Sequence, residues 1–471
     1  MTNTPSPLSP SIIVIFGITG DLSQRYLLPA LYHLMKDGLL HEQTQIVGIS
    51  RRDISTKDLF AKVELCVNEV DKVCDPAILG KLHKQTRMVQ LDLTDPAGYT
   101  RLRKTLDSIE TEQGMCMNRL YYLSIPPSIY GSIITLMGQA DLNTSCQHKV
   151  AETRLLIEKP FGYDLHSAKD LIAETAKVFK EDQIFRIDHY LAKETVQNIL
   201  TFRFRNPIFE AVWNHEHIAR IEISASEKIG IEGRAVFYEP LGALRDFIQS
   251  HLLQLLAVVT MDQPAALDSE HIHVSKQAVL EQAKAVPAGE VSKYTVRGQY
   301  AGYRAEVKDG NSTTETFAGV KVFIDSPRWR DVPITLWTGK GLVEKRTEIV
   351  FCFKSEGDQA ANRLRFRIQP NEGIELDLLT KKPGFETELQ TTAMDFSYDQ
   401  NFGHQAHANA YERVLVDAIR GDHTLFATSE EVLEAWRIVQ PVLDSWSKQA
   451  DNLKTYPMGT SGDKLIESLT S

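Results

Sequence analysis

Two textures divide this chain, and together they limit what it can fold into. Up to about residue 215, short apolar runs alternate with helix-like stretches: SIIVIF (11–16), TQIVGIS (44–50), LYYLSI (120–125) and RLLIEK (154–159). Strands separated by crossover helices pair in parallel, so a doubly wound α/β domain is expected there. Beyond it, IARIEISASE, YTVRGQYAGY, TFAGVKVFID, ITLWTGK, EIVFCFK, LRFRIQP and IELDLLT follow one another with few helices between them. Strands in series predict a large, mostly antiparallel sheet in an α+β domain. The C-terminal part returns to helix in HANAYERVLVDAIRG and SEEVLEAWRIVQPVLDSW, and the polar tail after Trp446 is expected to be loosely held. A chain of 471 residues exceeds what one core supports. The expected division is 1–190 and 191–471.

Composition excludes some partners. A net charge of -10 argues against a nucleic-acid or anionic-membrane surface, so an anionic ligand must be held by a few local cations. The five cysteines, Cys66, Cys74, Cys116, Cys146 and Cys352, are scattered without CxxC spacing. That pattern fits a reduced, cytoplasmic chain with neither a disulfide framework nor a metal site. No window approaches ~18 uninterrupted apolar residues, and the first residues lack a basic region ahead of their apolar stretch.

IFGITGDL (15–22) places a glycine turn between the first strand and a helix. Gly17 and Gly20 would let the backbone approach a pyrophosphate, with Thr19, Asp21 and Leu22 completing the turn and Arg25 following it. The helix N-terminus offers free N–H groups to the anion. A plain tight turn is the alternative, since the third glycine of the usual fingerprint is missing. The second run ends in GISRRD, with Arg51 and Arg52 where an NAD site would carry an acidic residue. Arginine there favours a 2′-phosphate and hence NADP, with NAD as a lesser cofactor; a solvated basic corner is the plainer reading. Asp53 is placed to cap the helix that follows.

RIDHYLAKE (186–194) crowds ionisable groups where the chain enters an apolar segment. On a helix, His189 and Lys193 would share a face, with Tyr190 three residues from Lys193, making a donor clamp for a phosphate monoester. Asp188 reads either as an N-cap or as a carboxylate orienting a catalytic histidine. His251, in GALRDFIQSHLLQLL, opens a strongly apolar helix and is either a core histidine or the base of an alcohol oxidation. Lys159 ends a strand ahead of Pro160, and Lys340 and Lys345 sit in a glycine turn after another.

The ordered set GITGDL, EKPFG, RIDHYLAKE, IEGR, GALRDFIQSHLLQLL, VRGQY, TETF, RIQPNEG and AYERVLVDAIRGD resembles the glucose-6-phosphate dehydrogenase family over nearly the whole chain. The resemblance implies an N-terminal Rossmann-like NADP-binding domain and a C-terminal β+α domain whose sheet forms a homodimer, or part of a homotetramer. It implies oxidation of the β-anomer of glucose 6-phosphate at C1 to 6-phosphoglucono-1,5-lactone, the first step of the pentose phosphate pathway. His251 matches the base and Asp188 its support. His189, Tyr190 and Lys193 match the phosphate clamp, while Glu227, Glu239, Lys340 and Lys345 match substrate contacts. Lys159 matches a lysine between cofactor and sugar, with a cis bond before Pro160; Tyr122 and Arg51 match cofactor contacts. The chain departs from the family at Gln24 and Tyr26, where basic residues are usual, and at Glu239, where aspartate is common. A non-catalytic NADP-binding sensor and a dehydrogenase of another sugar phosphate are the alternatives.

Overall fold

A computed structural model describes residues 6–470 except 72, 147–150, 356, 358–359, 404–408 and 449–451. The chain forms two compact units: residues 1–162, 166–192 and 408–429, and residues 163–165, 193–407 and 430–471. Where the sequence reading divides the chain at 190, the packing divides it at 192 and also gives 408–429 to the first unit.

In the first unit, β1 (Ser11–Phe16), β2 (Gln45–Ser50), β3 (Thr86–Gln90), β4 (Asn118–Leu123), β5 (Thr153–Ile157) and β6 (Ile184–Ile187) make a parallel sheet. A short strand, Phe426–Ala427, closes its edge antiparallel to β6. The order is Phe426–Ala427, β6, β5, β4, β1, β2, β3. The chain therefore runs outward from β1 in one direction and from β4 in the other, leaving a crevice at their carboxyl ends where ligands bind in such sheets. All residues of β1 and β2 are buried, which explains continuous apolar runs in place of alternation. Aspartates start two helices: Asp75 accepts the Ala77 N–H at 2.8 Å and Asp95 accepts the Ala97 N–H at 3.0 Å, each before a proline. The helix Ala410–Arg420 returns to this unit, and Arg154 of β5 donates to its terminal carbonyls of Ala418 and Ile419, both at 2.6 Å.

The second unit holds β7 (Ile218–Ser226), β8 (Thr295–Tyr300), β9 (Phe317–Val322), β10 (Ile334–Gly339), β11 (Arg346–Phe353), β12 (Arg363–Gln369), β13 (Gly373–Lys381) and β14 (Leu389–Ser397). Their order is β14, β13, β12, β11, β7, β10, β9, β8, followed by Lys454–Tyr456. The sheet is mixed: β7 and β10 run parallel, as do β8 and Lys454–Tyr456, and the other pairs are antiparallel. A helical segment from Leu244 to Thr260 packs on β7, β9 and β10.

Several expectations are corrected. Among the described residues, the tail after Trp446 is not loose: Tyr456, Ile466 and Leu469 are buried in one cluster with Trp337 and Phe317. Their spacing within a polar segment hides a strand and a terminal helix. Cys116 and Cys146 form a disulfide with Cα atoms 5.7 Å apart, joining positions 30 residues apart that no spacing rule pairs; Cys66, Cys74 and Cys352 stay free. Ser55, not Asp53, starts the helix Thr56–Asp71, because its hydroxyl accepts the Asp58 N–H at 3.1 Å. Among the described residues, no helix is long and apolar enough to cross a membrane.

Candidate active site

At the carboxyl end of β1 the backbone turns through Gly17, whose φ of +80° and position both require glycine: a Cβ there would lie 2.2 Å from the Ser124 carbonyl oxygen beyond β4. The turn closes with a Gly20 N–H bond to the Gly17 carbonyl at 2.8 Å. Ser23 fastens it, donating to the Gly17 carbonyl at 3.1 Å and sharing a hydrogen bond with Ser124 Oγ at 3.0 Å. Gln24 donates to the Thr19 carbonyl at 3.0 Å, so the amide that replaces a basic residue serves the loop itself. The helix then opens with a π-helical turn, Ser23–Leu27, a form concentrated at functional sites.

Beside this turn lies a cleft of about 450 Å³ lined by Thr19, Gln24, Ser50, Arg51, Arg52 and Lys62, with Asp58 also on its wall. Three cations against one carboxylate suit an anionic group, and the glycine cradle suits the close approach of a pyrophosphate. The residues present thus fit a dinucleotide. Arg25 pairs loosely with Asp21 at 3.9 Å, both exposed, and Leu22 leads into the π-helical turn.

Further along the sheet, Tyr122 of β4 is fully buried, and its hydroxyl donates to Glu158 at 2.5 Å. Lys159 follows β5, and its bond to Pro160 is cis. Asp188 follows β6 and is buried; its carboxylate accepts the Tyr190 N–H at 2.9 Å. Residues 189–192 are turns, Lys193 is a bend, and the helix begins only at Glu194, which corrects the helical clamp and the helix-cap reading of Asp188. His189 lies 5.0 Å from the Tyr190 ring and stacks at 6.3 Å on Tyr411, which stacks at 5.3 Å on Tyr26. The tyrosine that replaces a usual lysine therefore joins an aromatic column ending on His189.

The second unit carries the other candidates. Lys193 donates to Gln369 Oε1 at 2.7 Å. Desolvation pushes its ammonium below the ordinary lysine value, Glu372 pulls it back up, and Lys345 adds to the depression. Lys193 and Lys345 thus share one electrostatic neighbourhood, which a bound dianion would relieve. Lys340, nearly buried, is hydrogen-bonded to Glu227 and lies 5.2 Å from the Tyr238 ring. Glu239 accepts the Tyr303 hydroxyl at 2.6 Å, and Thr314 donates to its carbonyl at 2.8 Å. His251 is fully buried. It closes a π-helical stretch, Leu244–Leu252, instead of opening the apolar helix, with the Phe247 ring edge-on at 5.4 Å. Glu315 holds the start of that stretch by accepting the Leu244 N–H at 3.0 Å.

Sequence reasoning passed over Glu158, Tyr411, Lys62, Gln369 and Glu315. Glu158 had a visible signal, a carboxylate ending an apolar strand; the others are assembled only by the fold.

Residues 14–198 match the family "Glucose-6-phosphate dehydrogenase, NAD binding domain", and residues 200–471 match "Glucose-6-phosphate dehydrogenase, C-terminal domain". The glucose-6-phosphate 1-dehydrogenase of Borreliella burgdorferi is 40% identical over 97% of this chain and 96% of its own length. That of Rhizobium meliloti is 39% identical over 98% and 96%. A solved glucose-6-phosphate dehydrogenase in complex with its substrate glucose 6-phosphate superposes with a TM-score of 0.90 at 33% identity, covering 99% of this chain and 98% of that one. The Mycobacterium avium enzyme superposes at 0.82 and 32% identity, covering 97% of each chain. With a dinucleotide cradle in its first unit and both halves matched, the chain belongs to the glucose-6-phosphate dehydrogenase family.

Proposed function

We propose that this enzyme oxidises β-D-glucose 6-phosphate at C1 to 6-phospho-D-glucono-1,5-lactone, with NADP as the preferred acceptor. The observation that carries the reading is the presence of the family-matched groups Lys159, Asp188, His189, Tyr190, Lys193, Glu227, Lys340 and His251 on a chain similar to relatives along nearly its whole length. When bound, the cofactor supplies the acceptor for the hydride leaving C1.

His251 takes the proton of the C1 hydroxyl, so that the C1–O bond becomes the lactone carbonyl as the C1–H bond breaks. Asp188 supports the imidazolium that results. His189, Tyr190, Lys193 and Lys345 hold the phosphate, and Glu227, Glu239 and Lys340 hold sugar hydroxyls. Arg51, with Arg52 and Lys62 in the same cleft, favours a 2′-phosphate and hence NADP over NAD. Gly17, Thr19, Gly20, Asp21 and Leu22 form the cofactor's turn, with Arg25, Tyr122 and Lys159 around it. A homodimer or homotetramer formed through the large sheet and a cytoplasmic location complete the reading.

Initial rates of nicotinamide reduction with glucose 6-phosphate, run with NADP and with NAD, test this. Turnover that favours NADP is expected. Binding of NADP without turnover would replace it with the sensor reading, and turnover only with another sugar phosphate would reassign the substrate.

A further inference from the structure

Glu158 has no role in the reading above, yet it organises the carboxyl ends of two strands. It follows β5 and directly precedes Lys159. Its side chain accepts the Tyr122 hydroxyl at 2.5 Å, a short hydrogen bond that favours the ionised carboxylate. Its carbonyl accepts the Tyr130 hydroxyl at 3.2 Å, and Tyr130 also reaches the Leu123 carbonyl of β4 at 3.3 Å. One residue and two tyrosines thus tie β4 to β5 just ahead of the lysine.

The titratable groups facing Glu158 come from every side. Tyr122 comes from β4, Tyr130 from the helix Tyr130–Gln139, Lys159 from the adjoining turn, Asp188 from beyond β6, and Tyr411 from the helix Ala410–Arg420. Desolvation outweighs the Tyr122 hydrogen bond and the Lys159 charge, the Asp188 charge adds to it, and the carboxyl is pushed up to about 7. The Lys159 backbone N–H also favours the ionised form. A carboxylate held by Tyr122 and by the N–H of Lys159 fixes the turn from which the Lys159 side chain projects.

We propose that Glu158, clamped by Tyr122, is a positioning residue for Lys159 and acts in its ionised form. This rests on the dehydrogenase reading, in which Lys159 stands between cofactor and sugar. Protonation loosens the clamp and lowers turnover by releasing the turn that carries Lys159, while Glu158 itself touches neither substrate nor cofactor.

The test compares wild type, Glu158→Gln and Tyr122→Phe. Glutamine keeps an acceptor oxygen and loses the charge; phenylalanine removes the bond that favours ionisation. In wild type the acid limb of kcat/KM is expected to include a step set by the Glu158 ionisation, the rate falling towards that of Glu158→Gln. In Glu158→Gln that step is absent and the rate starts from the lower plateau. In Tyr122→Phe the Glu158 ionisation moves to higher pH. The carboxyl C=O infrared band of the protein without sugar gives a readout free of turnover: a component titrating near neutral pH, absent in Glu158→Gln and shifted upward in Tyr122→Phe. A wild type that oxidises glucose 6-phosphate, with limbs in Glu158→Gln of the same slope and midpoint, overturns the proposal. So does a band that does not respond to either substitution. A wild type with the titrating band but no turnover overturns the dehydrogenase reading instead.

Discussion

Lys193→Gln isolates the phosphate clamp from the chemistry. Lys193 is partly buried, bonded to Gln369 at 2.7 Å, and its ammonium is depressed first by desolvation and also by Lys345. If Lys193 holds the phosphate as proposed, replacing it removes one charge-assisted bond, worth about 1.5–3 kcal/mol. Each 1.4 kcal/mol is about tenfold, so KM for glucose 6-phosphate should rise about 10- to 100-fold. Free glucose never makes that bond, so its kcat/KM should stay within about twofold of wild type. The depressed ammonium also gives a pH sign: the lysine loses its proton at lower pH than an ordinary lysine, so affinity for the sugar phosphate should weaken in the alkaline range in wild type and not in the variant. Steady-state kinetics with both sugars and calorimetric titration of glucose 6-phosphate across pH make the measurement. An unchanged KM, or equal losses for phosphorylated and free glucose, would refute the assignment of Lys193 to the phosphate.

Three further outcomes are expected. His251→Asn should keep glucose 6-phosphate binding and lower turnover by about 10²- to 10⁴-fold, checked by calorimetry beside initial rates; comparable turnover removes His251 from the base role. Arg51→Ala should weaken NADP by about tenfold and leave NAD unchanged, read from the two cofactor KM values; equal effects on both would make Arg51 a surface residue. Glu431 is buried with His273 and Lys276, each at 2.8 Å; desolvation raises its carboxyl, but Lys276 and His273 outweigh it and hold the group below the ordinary value. A depressed carboxylate stabilises fully above its unfolded value and less as pH falls through the folded one. Glu431→Gln should therefore lose about 3–5 kcal/mol at neutral pH by denaturant unfolding, with the gap to wild type narrowing in acid.

The sheet strands were legible where burial forced a pattern. β1 and β2 are fully buried and appear as unbroken apolar runs, so sequence and structure agree almost residue for residue. β14, LQTTAMDFS, is mostly exposed and carries little hydrophobic signal, so it was not seen. The short strand Lys454–Tyr456 was missed for a related reason: its one buried side chain, Tyr456, gives no period. At the site, the types of residue were legible and their local geometry was not. RIDHYLAKE reads as a helix on spacing, but Asp188 bonds the Tyr190 N–H and bends the chain into turns until Glu194. Tyr26 reads as a lost cation; in the fold it stacks on Tyr411, a partner 385 residues on that no local pattern announces. Roles for His251 and Asp188 came from the family resemblance, because their 63-residue separation carries no periodicity.

The central claim is that the C1 hydrogen of glucose 6-phosphate leaves this enzyme's substrate as hydride. Glucose 6-phosphate deuterated at C1, turned over with NADP, tests it most directly by mass spectrometry of the reduced cofactor. Transfer of the deuterium as deuteride to the nicotinamide ring is predicted, with a slowed hydride step when chemistry limits the rate. Reduced cofactor without deuterium, or no reduced cofactor from protein that binds both ligands, would contradict the account.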